Sequence, residues 1–154
     1  MFLVVANISK LSNVDALCNS GAGFGAVILV VGLPSIPDAH FTSLGAGVTV
    51  VRFGTLSELS VYLSDGGTLL VGIEIMEEAR SLTEFDFPVD GNVAIMPGNE
   101  GTGLSSAQKK HCGAFVFIPQ LGAGTASLNV HVATSLVLHT LTQQLITHKR
   151  GSYN

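Results

Sequence analysis

Pro97-Gly98-Asn99-Glu100-Gly101-Thr102-Gly103 follows the apolar run 92–96 and precedes a helix-like segment, residues 104–110. A second stretch repeats this order. Residues 114–118 read as strand, and Gln120-Leu121-Gly122-Ala123-Gly124-Thr125-Ala126-Ser127 reads as loop. One long helix is expected from Thr125 to about Ile146. Strand, glycine loop, helix, twice in succession, is the grammar of a parallel sheet. Ligands of open α/β sheets bind at the carboxyl ends of strands, so both loops stand where a site belongs. Glycine there permits positive φ and lets backbone approach a ligand closely.

The rest of the chain agrees. Residues 2–6 read as a buried first strand, and 13–24 as a loop passing into a helix. Residues 26–31 form a continuous apolar, β-branched run, as a strand covered on both faces requires. Residues 48–52 and 68–75 are further strands, and 56–63 a short helix. The expected fold is α/β, a mostly parallel sheet with helices on both faces. In the last helix Leu128, Val132, Leu136, Leu138, Leu141 and Leu145 give an apolar stripe, with Val130 and Val137 off it. A helix apolar nearly all round suggests burial against a second copy of the chain.

Composition points the same way. The 154 residues suit one domain. Only 12% are charged, against a typical ~25%. The net charge is −4, and 47% of residues are hydrophobic. Disorder is excluded, and so is nucleic-acid binding by charge alone. The longest apolar run, 26–31, falls far short of the ~20 residues a bilayer crossing needs, so no membrane segment is expected. With no basic leader, a cytoplasmic location is expected. Cys18 and Cys112 form no CxxC pair and read as structural thiols.

Familiar catalytic motifs fail. No Lys-Ser/Thr follows Gly103, so the first loop is no Walker loop. Gly21-Ala22-Gly23-Phe24-Gly25 has the wrong spacing for a dinucleotide fingerprint. His40, His111, His131, His139 and His148 show no metal-ligand spacing, and no metal is expected. Glu77 and Glu78 read as a solvated face.

Three segments carry a family resemblance. They are Asn13-Val14-Asp15-Ala16-Leu17-Cys18-Asn19 with the glycines that follow, Gly98-Asn99-Glu100-Gly101-Thr102-Gly103-Leu104-Ser105, and Ile118-Pro119-Gln120 with Gly124-Thr125-Ala126-Ser127-Leu128-Asn129-Val130. Together they resemble the three motifs of the SpoU-type (TrmH-like) RNA ribose 2′-O-methyltransferases of the SPOUT, or α/β-knot, superfamily. The resemblance implies a Rossmann-like sheet whose C-terminal part is threaded into a trefoil knot. It implies a homodimer, and S-adenosylmethionine held largely by backbone in three loops. The cofactor residues it implies are Ile73 and Glu74; Met96, Gly98, Asn99, Glu100, Gly101 and Gly103; and Ile118, Gln120, Ser127 and Leu128. The expected substrate is RNA, tRNA or rRNA, with tRNA favoured. The expected organisation is a single methyltransferase domain over 1–154 without a separate RNA-binding domain.

The implied catalytic residues are Asn13, Asn19, Ser127 and Asn129. A ribose 2′-hydroxyl is a weak nucleophile and must lose its proton. The family uses a motif arginine for this, six residues after the motif asparagine; here that position is Asn19, which carries no charge and takes no proton. Asp15 stands where the motif has glycine. Two readings stay open. Another basic residue, with Arg52 and Arg80 as candidates, replaces the arginine; or the chain is a degenerate dimer that binds cofactor or RNA as a partner subunit. A small-molecule enzyme on an unrelated α/β fold is a third, distant class.

Overall fold

The computed structural model describes residues 1–122 and 127–151. Seven strands form one sheet: β1 (Phe2–Ala6), β2 (Val27–Val31), β3 (Val50–Phe53), β4 (Thr68–Ile73), β5 (Arg80–Ser81), β6 (Asn92–Pro97) and β7 (Ala114–Phe117). Their order is β3-β2-β1-β6-β4-β7-β5, and every pairing is parallel. The helices are α1 (Leu11–Gly23), α2 (Asp38–Ser43), α3 (Leu56–Asp65), α4 (Ser106–His111) and α5 (Val130–Gly151).

Alternation along the strands splits the core in two. Leu3 and Val5 of β1 join Ile28 and Val30 of β2 on one face, under Leu17 of α1 and Leu138 and Leu141 of α5. Val4, Ala6, Leu29 and Val31 face the other way, against Leu59 and Leu63 of α3 and Leu104. The expected strands lack a polar side because both faces are covered. Among the described residues no helix is long and apolar enough to cross a membrane.

Several boundaries differ from expectation. Residues 13–24 are helical from Leu11 onward, not a loop first. The sequence before α1 gives no warning because Lys10, its N-cap, offers no side-chain bond; the capping carboxylate comes from Glu100. Residues 104–110 begin as loop: Ser105 caps α4 in a reciprocal box with Gln108, which fixes its first turn at Ser106. The long helix begins at Val130, where Asn129 Oδ1 accepts the His131 N–H at 2.9 Å and caps it. Its expected start at Thr125 lies outside the described residues. The buried face of α5 is Val130, Val137, Leu138 and Leu141, while Val132 and Leu136 are exposed. The expected stripe therefore mixed two faces. The 130/137/141 spacing follows the helical repeat and points at the sheet. Strand β3 is Val50–Phe53, shifted by one or two residues from the expected 48–52, and β4 begins at Thr68 as expected but ends at Ile73. The short α2 and the two-residue β5 carry no periodic signal.

A candidate cofactor pocket at the strand ends

Strands β6, β4 and β7 are adjacent, and the loops leaving their carboxyl ends meet over them. They enclose a cavity of about 320 Å³ lined by Ile73, Glu74 and Ile75, by the loop 97–103, by Phe117, Ile118 and Gln120, and by Ser127, Leu128, Val130 and Ala133. This is within the size range of small-ligand sites.

The Gly98–Gly103 loop is closed by backbone. Asn99 N–H donates to Gly103 O at 2.9 Å and Gly103 N–H to Asn99 O at 3.0 Å. A Cβ on Gly98 would meet Gly103 C and Leu104 N at 2.5 Å, so glycine is the residue that lets the strands of this loop touch. Gly103 needs its freedom too: φ is +68°, and a Cβ there would collide with the Glu74 carboxylate. Glu74 itself accepts the Leu104 N–H at 2.7 Å and fastens the end of β4 to the loop. Asn99 holds the turn from within, its Oδ1 accepting from Gly101 N–H at 2.9 Å. Its Nδ2 donates to Asn7 O and Ser9 Oγ, each at 2.8 Å, which ties the loop to the end of β1.

Glu100 links the motifs. Its carboxylate accepts from Ser9 N–H at 3.1 Å, Lys10 N–H at 3.3 Å and Asn13 Nδ2 at 2.7 Å. It thus sits on the N-terminus of α1, where the helix dipole favours an anion. Burial works against its charged form, but the Asn13 amide and the backbone N–H groups of Glu100, Ser9 and Lys10 outweigh it. The carboxyl is lowered to about 2. Asn13, itself buried, accepts at Oδ1 from Asn129 Nδ2 at 3.4 Å. One chain of contacts, Glu100–Asn13–Asn129, therefore joins all three sequence motifs.

The structure brings most of the expected residues together. Ile73, Glu74, Gly98, Asn99, Glu100, Gly101, Gly103, Ile118, Gln120, Ser127 and Leu128 line one cavity. Met96 does not: it is fully buried in the core, because β6 continues to Pro97, and Pro97 lines the cavity in its place. Asn13 and Asn129 are not among the lining residues; Asn13 is buried and Asn129 exposed. Asn19 is exposed on α1, outside the chain of contacts. Gly124, Thr125 and Ala126 of the third motif lie outside the described residues. Sequence reading missed Ile75, Thr102, Phe117, Val130 and Ala133. Thr102 lay inside a quoted motif; the apolar four look like core.

The two arginines considered as replacements are engaged elsewhere. Arg52, on the edge strand β3, donates to Ile36 O at 2.7 Å, Leu33 O at 3.1 Å and Asp38 Oδ1 at 2.7 Å, and lies over the Phe41 ring. Arg80, on β5 at the opposite edge, donates to Glu84 O at 3.1 Å and lies over Phe85. Burial pushes the Cys18 and Cys112 thiols up to about 12, with Asp15 adding to the effect at Cys18. Among the described residues no group of three or more His, Cys, Asp or Glu side chains is placed to hold a metal ion.

Comparison with known proteins completes the description. The family model described as the SpoU rRNA Methylase family matches residues 1–139. A relative named as an uncharacterized tRNA/rRNA methyltransferase, from Mycolicibacterium smegmatis, is 33% identical over 94% of this chain and 46% of its own length. The tRNA (guanosine(18)-2′-O)-methyltransferase TARBP1 of Mus musculus is 29% identical over 94% of this chain but 9% of its own. Among solved structures, the SpoU methyltransferase AviRb of Streptomyces viridochromogenes superposes with a TM-score of 0.79 at 25% identity. That match covers 96% of this chain and 61% of AviRb. AviRb has also been solved in complex with the cofactor AdoMet. This chain spans less than half the length of the mycobacterial relative.

Proposed function

The chain belongs to the SpoU rRNA Methylase family, and from that premise we propose that it is an S-adenosylmethionine-dependent RNA ribose 2′-O-methyltransferase. tRNA is the favoured substrate and rRNA the other. The observation that carries the reading is the cavity over β6, β4 and β7. Its lining is glycine-rich backbone, and its charged side chains are Glu74 and Glu100, with no cationic side chain among the described lining residues. Lys109 Nζ lies 3.9 Å from Glu74 Oε2 and pairs with that carboxylate. A sulfonium cofactor with an adenosine and an amino group meets backbone acceptors, apolar walls and carboxylates, so the residues fit the group.

In this reading Ile73 and Glu74, the Gly98–Gly103 loop, and Ile118, Gln120, Ser127 and Leu128 hold the cofactor. When bound, it supplies an electrophilic methyl group. Asn13, Ser127 and Asn129 fix the loops against the acceptor ribose. The reading includes the knotted threading of the C-terminal part and a homodimer. Exposed Val132 and Leu136, one turn apart on α5, with Leu11 at the start of α1, suit the dimer face.

A second reading, a partner subunit without its own activity, is favoured by one observation: position 19 is an exposed asparagine. Incubation with S-adenosylmethionine and bulk tRNA or rRNA separates the two. The first reading expects 2′-O-methylated nucleotides from the wild type, and Asn19→Arg to change the rate by less than about tenfold. Product from N19R alone, at least 100-fold above wild type, would establish the second (~2.7 kcal/mol of barrier).

A further inference from the structure

Glu74 and Glu100 both line the cavity, but their charges are met differently. Glu100 faces the N-terminus of α1 and the Asn13 amide, three donors in all. Glu74 is fixed in place by neutral groups. Its backbone N–H donates to Val116 O at 3.0 Å, which holds it against β7. Its Oε2 accepts from Leu104 N–H at 2.7 Å and its Oε1 from Ile75 N–H at 3.2 Å. Among the described residues the cation paired with it is Lys109, at 3.9 Å and on a side chain 37% exposed, against 19% for Glu74. So long and solvated a pair is weak and screened by salt. A carboxylate offers about four lone-pair directions, so Glu74 keeps room for one more positive group. Glu77 and Glu78, exposed just beyond it, carry the same sign.

We propose that Glu74 makes the cavity prefer the methyl donor, S-adenosylmethionine, to the demethylated product, S-adenosylhomocysteine; this rests on the methyltransferase reading above. The two ligands share their adenosine, ammonium and carboxylate groups and differ by one methyl group and one charge. In the transfer the S–CH3 bond breaks and its electron pair stays on sulfur. The methyl group bonds to the ribose oxygen, whose proton leaves to solvent. The sulfur thereby loses its positive charge. A cavity of about 320 Å³ is about 8 Å across as a sphere, so a charge held anywhere inside it lies within one screening length of Glu74, ~10 Å at 0.1 M salt. No cation among the described lining residues opposes that attraction. Glu74 therefore holds the donor and loosens its hold once the charge is gone, which clears the cavity for the next donor. Lys109 acts in the opposite sense, because it competes for the same carboxylate. Its removal strengthens the preference.

The test is calorimetric titration of wild type, Glu74→Gln and Lys109→Gln with S-adenosylmethionine and with S-adenosylhomocysteine, without RNA. The ratio of the two affinities cancels every contact the ligands share and isolates the sulfonium. Wild type is expected to bind the donor at least about tenfold more tightly than the product at low salt. E74Q keeps an oxygen for the Leu104 N–H and is expected to cut that ratio at least about fivefold, through the donor's affinity. K109Q is expected to raise the ratio by about threefold. The wild-type ratio should shrink between about 0.05 and 0.5 M salt, and the E74Q ratio should hold. An E74Q ratio within about twofold of wild type overturns the proposal, as does a wild-type ratio near one. If E74Q unfolds or loses both ligands, K109Q decides: an unchanged ratio overturns it. A folded wild type that binds neither ligand overturns the methyltransferase reading itself; equal binding of both overturns this proposal alone.

Discussion

Gly98→Ala abolishes cofactor binding at the concentrations where wild type saturates. The added Cβ falls 2.5 Å from Gly103 C and Leu104 N, both backbone, so no side-chain rotation relieves it. The paired Asn99–Gly103 hydrogen bonds must part, and the loop that forms one wall of the cavity moves into it or away from it. Overpacking of this kind costs about 1–3 kcal/mol of stability. The loss in S-adenosylmethionine affinity is at least about 100-fold, or ~2.7 kcal/mol. Calorimetric titration measures the affinity, and urea unfolding the stability. Gly23→Ala is the control: nothing lies within 4 Å of its Cβ, and both quantities should hold. An unchanged affinity in G98A would remove this loop from the cofactor site.

Glu100→Ala is the second large effect, and it acts on stability first. Removing the carboxylate leaves Ser9 N–H, Lys10 N–H and the buried Asn13 amide without their acceptor. Ser9 and Lys10 are exposed and water takes the place of their acceptor, so the loss falls on the buried Asn13 amide, at about 1–3 kcal/mol. The same residue gives a pH dependence with a defined sign. Its carboxyl has an ordinary value of 4.5 in the unfolded chain and about 2 in the folded one. The stabilisation is therefore complete above about pH 4.5 and is lost as pH falls toward 2. Solvent near this rim position screens the charge, which limits this part to about 1–2 kcal/mol. Urea midpoints between about pH 6 and 3 should fall less steeply in Glu100→Gln than in wild type. Identical slopes would show that Glu100 holds no charge on α1.

The sheet was legible because its signal is local. Val27-Ile28-Leu29-Val30-Val31 is apolar, and all but Leu29 are β-branched, whichever strand lies beside them. The start of α1 was not, because the group that caps it stands about ninety residues away on the Gly98–Gly103 loop. The face of α5 was misjudged for a related reason. With leucine and valine nearly all round, only the position of the sheet decides that Val137 is buried and Leu136 exposed. At the site, the glycine loops announced themselves by composition, and eleven of the twelve expected cofactor residues line the cavity. Met96 fails by one position, since a strand's last inward side chain and its first loop residue look alike in sequence. Phe117, Val130 and Ala133 carry no mark that separates a ligand wall from a core. The Lys109–Glu74 pair crosses from α4 to the end of β4, and only the folded chain shows it.

If the cavity over β6, β4 and β7 is built for S-adenosylmethionine, the isolated chain binds it there. Calorimetric titration of the wild-type chain with S-adenosylmethionine and with S-adenosylhomocysteine tests it most directly. Both are expected to bind saturably, at one molecule per chain, with binding lost in G98A. Absence of binding to either ligand by a folded wild type would contradict it.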